Sequence, residues 1–318
     1  MTASHNPPEY NGYKVYWEDG AQITPPHDGG IMAEVKAVTD YATTKTMSKE
    51  DAVAAGLYEV IGANIDDPYI AELKKLVLNQ DAINAVADDL KIVYTPLHGT
   101  GNIPVRRVLK ELGFKHVYVV PEQELPDGNF PTVSYPNPEA AEAFTLGLGM
   151  AKELDADLVL ATDPDADRLG VYVKDSKTGE YHSLTGNMSG CLIGAYEISQ
   201  RKEKQGLPAD GAFVKSIVST NLADAIAADY GVKLYEVLTG FKFIGQKMLE
   251  FETKGNGTYL FGMEESYGCL PGTYCRNKDA VVASMALCEV QHTIRPRARL
   301  CGMRCWISMR NTAITKMM

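Results

Sequence analysis

The sequence predicts an α/β protein of tandem domains, each a mixed, mostly parallel sheet covered by helices. The first observation is an alternation of strand-like and helix-like segments from Leu90 to Val173. A second alternation of the same kind runs from Thr185 to Leu287, after a polar stretch at 174–181 that predicts a hairpin or linker. Strands that alternate with helices usually form parallel sheets with the helices on their faces. A chain of 318 residues is long enough for several such domains.

The N-terminal part of the chain predicts little regular structure. A small, polar stretch that ends at Pro7-Pro8 is typical of a loop, and Asn11-Gly12 is typical of a turn into a short strand. Residues 31–38 predict a helix that leads into a polar connector. Asp66-Asp67-Pro68 then predicts the start of another helix, with Pro68 in its first turn.

The first alternating unit leads to an acidic loop. Its predicted elements are strand 91–94, helix 105–112, strand 116–120, helix 139–154, strand 157–162 and strand 169–173. The glycine-bearing loop at 95–101 lacks the full spacing of a phosphate-binding loop, so it predicts a simple strand-to-helix turn. In parallel sheets, ligands bind beyond the carboxyl ends of the strands, which is where the loop after residue 162 lies.

Three aspartates at alternate positions fill that loop, namely Asp163, Asp165 and Asp167, and Arg168 follows them. Carboxylates held this close repel one another unless a cation neutralises them, and hard oxygen ligands suit magnesium or manganese. A helix–loop–helix calcium site fits poorly, because its sixth and twelfth positions need Gly and Glu, where this chain has Arg168 and Lys174. A solvated acidic turn is the other alternative. Arg168 argues against it, because a guanidinium beside carboxylates suits a phosphate that arrives at the metal.

The second alternating unit presents two further loops at strand ends. Its predicted elements are helix 185–202, strand 212–218, helix 221–230, strand 233–237, a helix through Phe251, strand 258–262 and a helix through Leu287. Thr239 to Lys242 form a glycine loop that leads into a helix, and Glu264 and Ser266 follow a strand. A carboxylate next to a hydroxyl can hold neighbouring sugar hydroxyls, and a solvated loop is the alternative for this pair taken alone.

Composition and charge restrict the choice of partners. A formal net charge of −10 disfavours nucleic acid. No apolar run approaches the roughly 20 residues that cross a bilayer, so we expect no membrane partner. The six cysteines show no paired CxxC spacing, which favours free thiols in a reducing cytoplasm. The charge is uneven, because residues 289–318 carry a net charge of +5, which leaves −15 for residues 1–288.

Four motifs together resemble those of the α-D-phosphohexomutases, and most closely the bacterial members that act on glucose phosphates. They are Thr2 to Pro7, Asp163 to Arg168, Thr239 to Lys242, and Glu264-Glu265-Ser266 with Arg276 to Asp279. The resemblance extends from residue 2 to about residue 288. It implies that a small-molecule sugar phosphate is the partner. Glucose 1-phosphate and glucose 6-phosphate would be interconverted through a phosphoserine and a glucose 1,6-bisphosphate intermediate, which also serves as activator.

The resemblance also implies a role for each site residue. The metal would be Mg²⁺, and its ligands would be the phosphate on Ser4 together with Asp163, Asp165 and Asp167. The catalytic residues would be Ser4 as the phosphate carrier, His5 to help hold that phosphate, and Lys14 and Lys278 to shuttle protons. A lysine crowded by other cations can lose its proton near neutral pH and act as a base. The substrate-binding residues would be Arg168, Thr239, Gly240, Lys242, Glu264 and Ser266.

The same resemblance divides the chain into four parts. Residues 1–65 would be a remnant of the first domain with the phosphoserine loop, 66–180 a second domain with the metal loop, and 181–288 a third with the sugar loop. Family members have more chain before the serine loop and a fourth domain, which we expect to be absent here. Residues 289–318 would be a non-native basic tail. Their codons, read one base earlier, can spell a family-like helix, which indicates a frameshift near Gln291.

Several alternatives stay open at this point. A phosphomannomutase or a phosphopentomutase would use the same chemistry on another sugar. A catalytically dead remnant would carry the motifs without turnover, and a phosphatase would result if water intercepted the transfer. A basic tail that binds an acidic partner is the alternative to a frameshift. The sequence fixes neither the physiological sugar nor the oligomeric state.

Overall fold

The first of two sheets contains five strands. The computed structural model describes residues 4–10 and 12–294. The strands of the first sheet are β1 (Lys91–Thr95), β2 (His116–Val119), β3 (Leu158–Thr162), β4 (Leu169–Lys174) and β5 (Tyr181–Leu184). They lie in the order β2-β1-β3-β4-β5. β1 is parallel to β2 and β3, whereas β4 is antiparallel to both of its neighbours.

The second sheet contains four strands, β6 (Gly211–Ser216), β7 (Lys233–Val237), β8 (Thr258–Glu264) and β9 (Gly268–Pro271). They lie in the order β7-β6-β8-β9, with β9 antiparallel to β8 and the other pairs parallel. The predicted tandem α/β architecture with mixed sheets is confirmed. β9 was not predicted, because a short segment between glycine and proline has no strand pattern of its own. It forms because its backbone pairs with the end of β8.

Helices cover both sheets. They are α1 (His27–Ala37), α2 (Lys49–Ala54), α3 (Ala63–Lys75), α4 (Gln80–Asn84), α5 (Asn102–Glu111), α6 (Pro121–Glu124), α7 (Thr145–Leu154), α8 (Gly186–Lys204), α9 (Leu222–Tyr230), α10 (Phe241–Lys254) and α11 (Ala280–Ile294). The predicted start of α3 is wrong. The amides of Ile65 and Asp66 already donate to the carbonyl of Gly62, so Pro68 lies inside the helix.

One core joins the two sheets. α7 covers one face of the first sheet and packs with Val93, Phe144 and Val159 in a small separate cluster. The opposite face belongs to a larger cluster that also includes the second sheet. α11 links the two halves, because it contacts α4, α5, α8 and β9. The loops at the strand ends of both domains are therefore held on one packed body.

α11 extends past the predicted domain end at residue 288. Glu289 is buried, and its carboxylate accepts hydrogen bonds from the amide of Asn79 (2.7 Å) and the hydroxyl of Tyr196 (2.9 Å). Val290 and Gln291 are buried as well. The boundary predicted at residue 288 thus falls inside a packed helix. The proposed tail beyond Ile294 lies outside the described residues.

The N-terminal part lies mostly on the surface. α1 and α2 contribute no buried residue, and the predicted short strand is reduced to one bridge between Tyr16 and Gln22. Within residues 4–10 and 12–294, no helix combines the length and the apolar character needed to cross a bilayer. The four cysteines in this part of the chain are free thiols.

A buried glutamate of α8 predicts a pH-dependent stability. Burial raises the pKa of Glu197 from 4.5 to about 8, although Arg201 opposes the shift. The folded protein therefore holds the proton more tightly than the unfolded chain does. The stability that this protonation contributes is fully present below about pH 4.5 and is lost as the pH rises through about 8.

We expect Glu197→Gln to raise the free energy of unfolding above pH 8 by several kcal/mol and to change it little near pH 4.5. Urea unfolding at the two pH values measures this difference. Glu153→Gln, at an exposed position of α7, is the control and should leave the pH dependence unchanged. Equal effects of Glu197→Gln at both pH values would contradict the prediction.

Candidate functional site

The loop between β3 and β4 brings the three predicted metal ligands together. Oxygens of Asp163, Asp165 and Asp167 lie within 4.8 Å of one another. Oδ1 of Asp163 accepts hydrogen bonds from the amides of Asp167 and Arg168, both at 3.0 Å, which fixes the turn. Ala166, between Asp165 and Asp167, has a φ of 57°, a left-handed conformation that is strained for a residue other than glycine.

The charges of this loop are incompletely neutralised. Burial raises the pKa of Asp163, and the charges of Asp167 and Asp165 raise it further. Burial also raises the pKa of Asp165, but Lys14 outweighs that effect and the net pKa is lowered. Oδ1 of Asp167 is buried and has no hydrogen-bond partner among the described residues. Converging carboxylate oxygens with an unpartnered, buried member are the donor set of a hard divalent cation, so these residues fit Mg²⁺.

The serine loop lies against the acidic loop. Oγ of Ser4 donates to Oδ2 of Asp163 at 2.6 Å and lies 2.9 Å from Oδ1 of Asp165. Nδ1 of His5 is 3.3 Å from the same Oγ. The pKa of His5 is lowered, first by burial and then by the charges of Arg168 and Lys278. Ser4 has a φ of 54°, a left-handed conformation that is strained for a serine. Its hydroxyl contacts Asp163, although the two residues are 159 positions apart in the sequence.

The two predicted proton-shuttling lysines reach the same loop. Nζ of Lys14 donates to Asp165 at 2.6 Å and to Asp167 at 3.0 Å. Nζ of Lys278 is paired with Glu264 and lies 3.8 Å from Asp167. Burial lowers the pKa of Lys14, but Asp167 and Asp165 outweigh it and the net pKa is raised. The nearest charged groups of Lys14 are thus carboxylates rather than the neighbouring cations that a lowered pKa would need.

A cavity of about 450 Å³ opens beside these groups. The predicted site residues that line it are Ser4, His5, Lys14, Asp167, Arg168, Thr239, Gly240, Glu264, Ser266 and Lys278. The side chain of Lys242 does not line it and lies 3.5 Å from Asp28 instead. Arg168 donates to Glu139 at 2.9 Å, while its Nε has no hydrogen-bond partner among the described residues. That buried Nε lies 3.9 Å from Asp163 and 4.0 Å from Asp167, so the guanidinium faces the acidic loop.

Backbone contacts lock the site loops to one another. The amide of Thr100 donates to the carbonyl of Pro164 (2.8 Å), the amide of Leu169 to that of Tyr267 (2.9 Å), and the amide of Ala280 to that of Ala166 (2.9 Å). Loop 95–101 is a strand-to-helix turn, as predicted, and it braces the metal loop. The last two contacts cross the boundary between the two sheets, so they tie the metal loop to the loop after β8 and to the start of α11.

The sequence reasoning missed several residues that support the site. Glu265 accepts hydrogen bonds from Ser216 (2.6 Å) and Ser219 (3.3 Å), which pins the loop that carries Glu264 and Ser266. Glu139 and Asp279 are further examples. Glu265 and Asp279 stand inside the recognised motifs, so their motif positions were the available signal. Glu139 has no comparable local signal.

Comparison with protein families gives three consecutive matches. The chain matches models described as phosphoglucomutase/phosphomannomutase alpha/beta/alpha domain I over residues 1–42, domain II over residues 67–179 and domain III over residues 185–301. The domain II match contains β1 to β4 of the first sheet, and the domain III match contains the whole second sheet. The sequence-based recognition is confirmed.

Individual relatives carry different names. A phosphopentomutase of Mus musculus is 36% identical over 296 residues, which covers 91% of this chain and 47% of the relative. A phosphoglucomutase of Staphylococcus epidermidis is 36% identical over 284 residues, covering 88% and 49%. The chain thus spans about half the length of these relatives. The solved structure of a phosphoglucomutase/phosphomannomutase family protein from Burkholderia thailandensis has the same fold, with a TM-score of 0.64, 22% identity, and coverage of 92% of this chain and 55% of that one.

Proposed function

Because the chain belongs to the α-D-phosphohexomutase family, we propose that it moves a phosphoryl group between two hydroxyls of a sugar phosphate. We propose glucose 1-phosphate and glucose 6-phosphate as the substrate pair. The observation that carries the proposal is the position of Ser4. Its hydroxyl stands 2.6 Å from Asp163, at the wall of a cavity that Glu264 and Ser266 also line.

Asp163, Asp165 and Asp167 would hold Mg²⁺, and a phosphate on Ser4 would complete the ligand shell. The bound metal would neutralise charge on the transferring phosphoryl group, since phosphoryl transfer depends mainly on positioning and charge neutralisation. The unpartnered oxygen of Asp167 supports this role.

The chain's own side chains would position the phosphate and move protons. Arg168 and His5 line the same cavity as Ser4 and would hold the phosphate that Ser4 carries. Lys14 and Lys278 lie on either side of Asp167, where each could exchange a proton with the attacking or leaving sugar hydroxyl. A glucose 1,6-bisphosphate intermediate would then return its other phosphate to Ser4.

The opposite wall of the cavity would bind the sugar. Glu264 and Ser266 would hold neighbouring hydroxyls, and Glu264 would exchange its pairing with Lys278 for them. Thr239 and Gly240 line the same wall through a loop whose glycine has a φ of 114°. Lys242 would join the site only after leaving Asp28. We also propose a cytoplasmic location, which the free thiols support.

Phosphopentomutase and phosphomannomutase activities are the second candidates. The relatives support this reading, because names for pentose and hexose enzymes occur at the same 36% identity. The cavity residues recognise hydroxyls and phosphate, which all these sugars share.

Coupled assays on glucose, mannose and ribose 1-phosphates test the proposal, with Mg²⁺ and a trace of the corresponding bisphosphate present. We expect isomerisation of at least one of them, with glucose 1-phosphate giving the largest kcat/KM. Removal of Mg²⁺ by a chelator should abolish it, and Mg²⁺ readdition should restore it. Inorganic phosphate without isomerised product would indicate a phosphatase. No turnover from a folded sample would indicate an inactive protein.

A further inference from the structure

We propose that Asp279 is a positioning residue that fixes Lys278 and the metal loop relative to each other. The inference rests on the proposed function, which gives Lys278 its role in proton transfer. The carboxylate of Asp279 is 8% exposed, and the residue precedes α11 and follows that lysine directly in the chain.

Two tyrosines from different parts of the fold converge on this carboxylate. The hydroxyl of Tyr69, from α3, donates to Oδ2 of Asp279 at 2.7 Å. The hydroxyl of Tyr274, from the loop after β9, donates to the same oxygen. The two rings also contact each other, with centroids 6.3 Å apart. One carboxylate oxygen thus holds α3 and the loop after β9 together through two tyrosine hydroxyls.

The second oxygen fixes the start of α11. Oδ1 of Asp279 accepts a hydrogen bond from the amide of Val281 at 2.7 Å, as a helix-capping side chain does. The amide of Asp279 donates to the carbonyl of Cys269 in β9 at 3.2 Å. These two hydrogen bonds anchor Asp279 to the start of α11 and to β9.

The residues that flank Asp279 both contact the catalytic loops. Lys278, before it, pairs with Glu264 and approaches Asp167 to 3.8 Å. Ala280, after it, donates its amide to the carbonyl of Ala166 inside the metal loop. A shift of the Asp279 backbone would thus displace a proposed acid–base group and a metal-ligand turn together. Changes in such outer groups lower metal affinity or activity about 10–100-fold.

A role in folding alone is the competing explanation, and it predicts a different result. Losing a hydrogen-bonded hydroxyl destabilises a protein wherever it occurs, because its former partner is left unsatisfied. Tyr181 offers a matched control, because its hydroxyl donates to the carbonyls of Ala151 (2.9 Å) and Ala156 (2.6 Å), whereas its position on β5 lies outside the site. A positioning role must change metal affinity and kcat where the control does not.

The experiment compares Asp279→Asn, Tyr69→Phe and the control Tyr181→Phe. Mn²⁺ dissociation constants are measured by calorimetry, kcat and KM by the coupled assay, and stability by urea unfolding. We expect Asp279→Asn and Tyr69→Phe to weaken Mn²⁺ binding about 10-fold and to lower kcat about 10–100-fold, with little change in KM. Tyr181→Phe should change only the free energy of unfolding.

A double-mutant cycle then tests the link to Lys278. If Asp279 acts partly through that lysine, adding Asp279→Asn to Lys278→Ala at saturating Mn²⁺ should lower kcat by a smaller factor than Asp279→Asn does in the wild type. Fully additive losses, or wild-type Mn²⁺ affinity in folded Asp279→Asn and Tyr69→Phe, would overturn the inference. If the wild-type chain shows no turnover, the proposed function fails, and the Mn²⁺ constants still decide on Asp279.

Discussion

Ser4→Ala is expected to reduce mutase turnover by at least about 10⁴-fold, as losses of essential nucleophiles do. The variant removes the only atom of residue 4 that can carry the phosphate. The fold should remain, because the lost hydroxyl contacts the acidic loop through single hydrogen bonds worth about 1 kcal/mol each. Coupled turnover and the mass of the intact protein after incubation with the bisphosphate measure the two consequences. The wild type should gain one phosphoryl group, and the variant should gain none.

Ser183→Ala provides the matched control, since Ser183 is exposed on β5 and lies outside the cavity. It should keep both the turnover and the phosphorylation of the wild type. Turnover that persists in Ser4→Ala would contradict the phosphoserine mechanism. In that case the 2.6 Å contact between Ser4 and Asp163 would have no part in phosphate transfer.

The metal loop could be predicted because its signal is local. Three aspartates within five positions, between two apolar strands, must converge whatever the rest of the chain does. Most strands could be predicted for a similar reason, since β3 is buried at every position and its sequence is continuously apolar up to its last residue. Both patterns involve only residues that lie close together in the sequence.

The features that the sequence did not indicate depend on partners that are distant in sequence. Asp28 draws Lys242 away from the cavity, and two carboxylates from the metal loop raise the pKa of Lys14. α11 continues beyond residue 288 because Glu289 finds the amide of Asn79, more than 200 positions away. The motifs identify which residues belong to the site. They do not specify which neighbours those residues will meet, because the tertiary fold determines this.

Gly99→Ala is expected to disturb both loop 95–101 and the metal loop that it contacts. A Cβ at residue 99 would stand 2.3 Å from Cα of Pro164 and 2.7 Å from its carbonyl oxygen. Both atoms are backbone, so no side-chain rotation can relieve the contact. The carbonyl of Pro164 also accepts the amide of Thr100 at 2.8 Å and its hydroxyl at 3.0 Å. One added methyl group must therefore push the loop away and weaken the bonds that hold it.

We expect Gly99→Ala to destabilise the protein by about 1–3 kcal/mol, as overpacking does. Because Pro164 lies between two proposed metal ligands, a displacement of about 1 Å should also lower kcat/KM by about 10²-fold. Gly128→Ala is the control, since a Cβ there would meet no atom within 4 Å. Urea unfolding, Mn²⁺ calorimetry and the coupled assay separate the two effects. If Gly99→Ala were destabilised yet kept wild-type Mn²⁺ affinity and kcat/KM, the brace would support the fold alone. Weakened metal binding in a folded Gly99→Ala would show that the position of the ligands depends on the space that this glycine leaves.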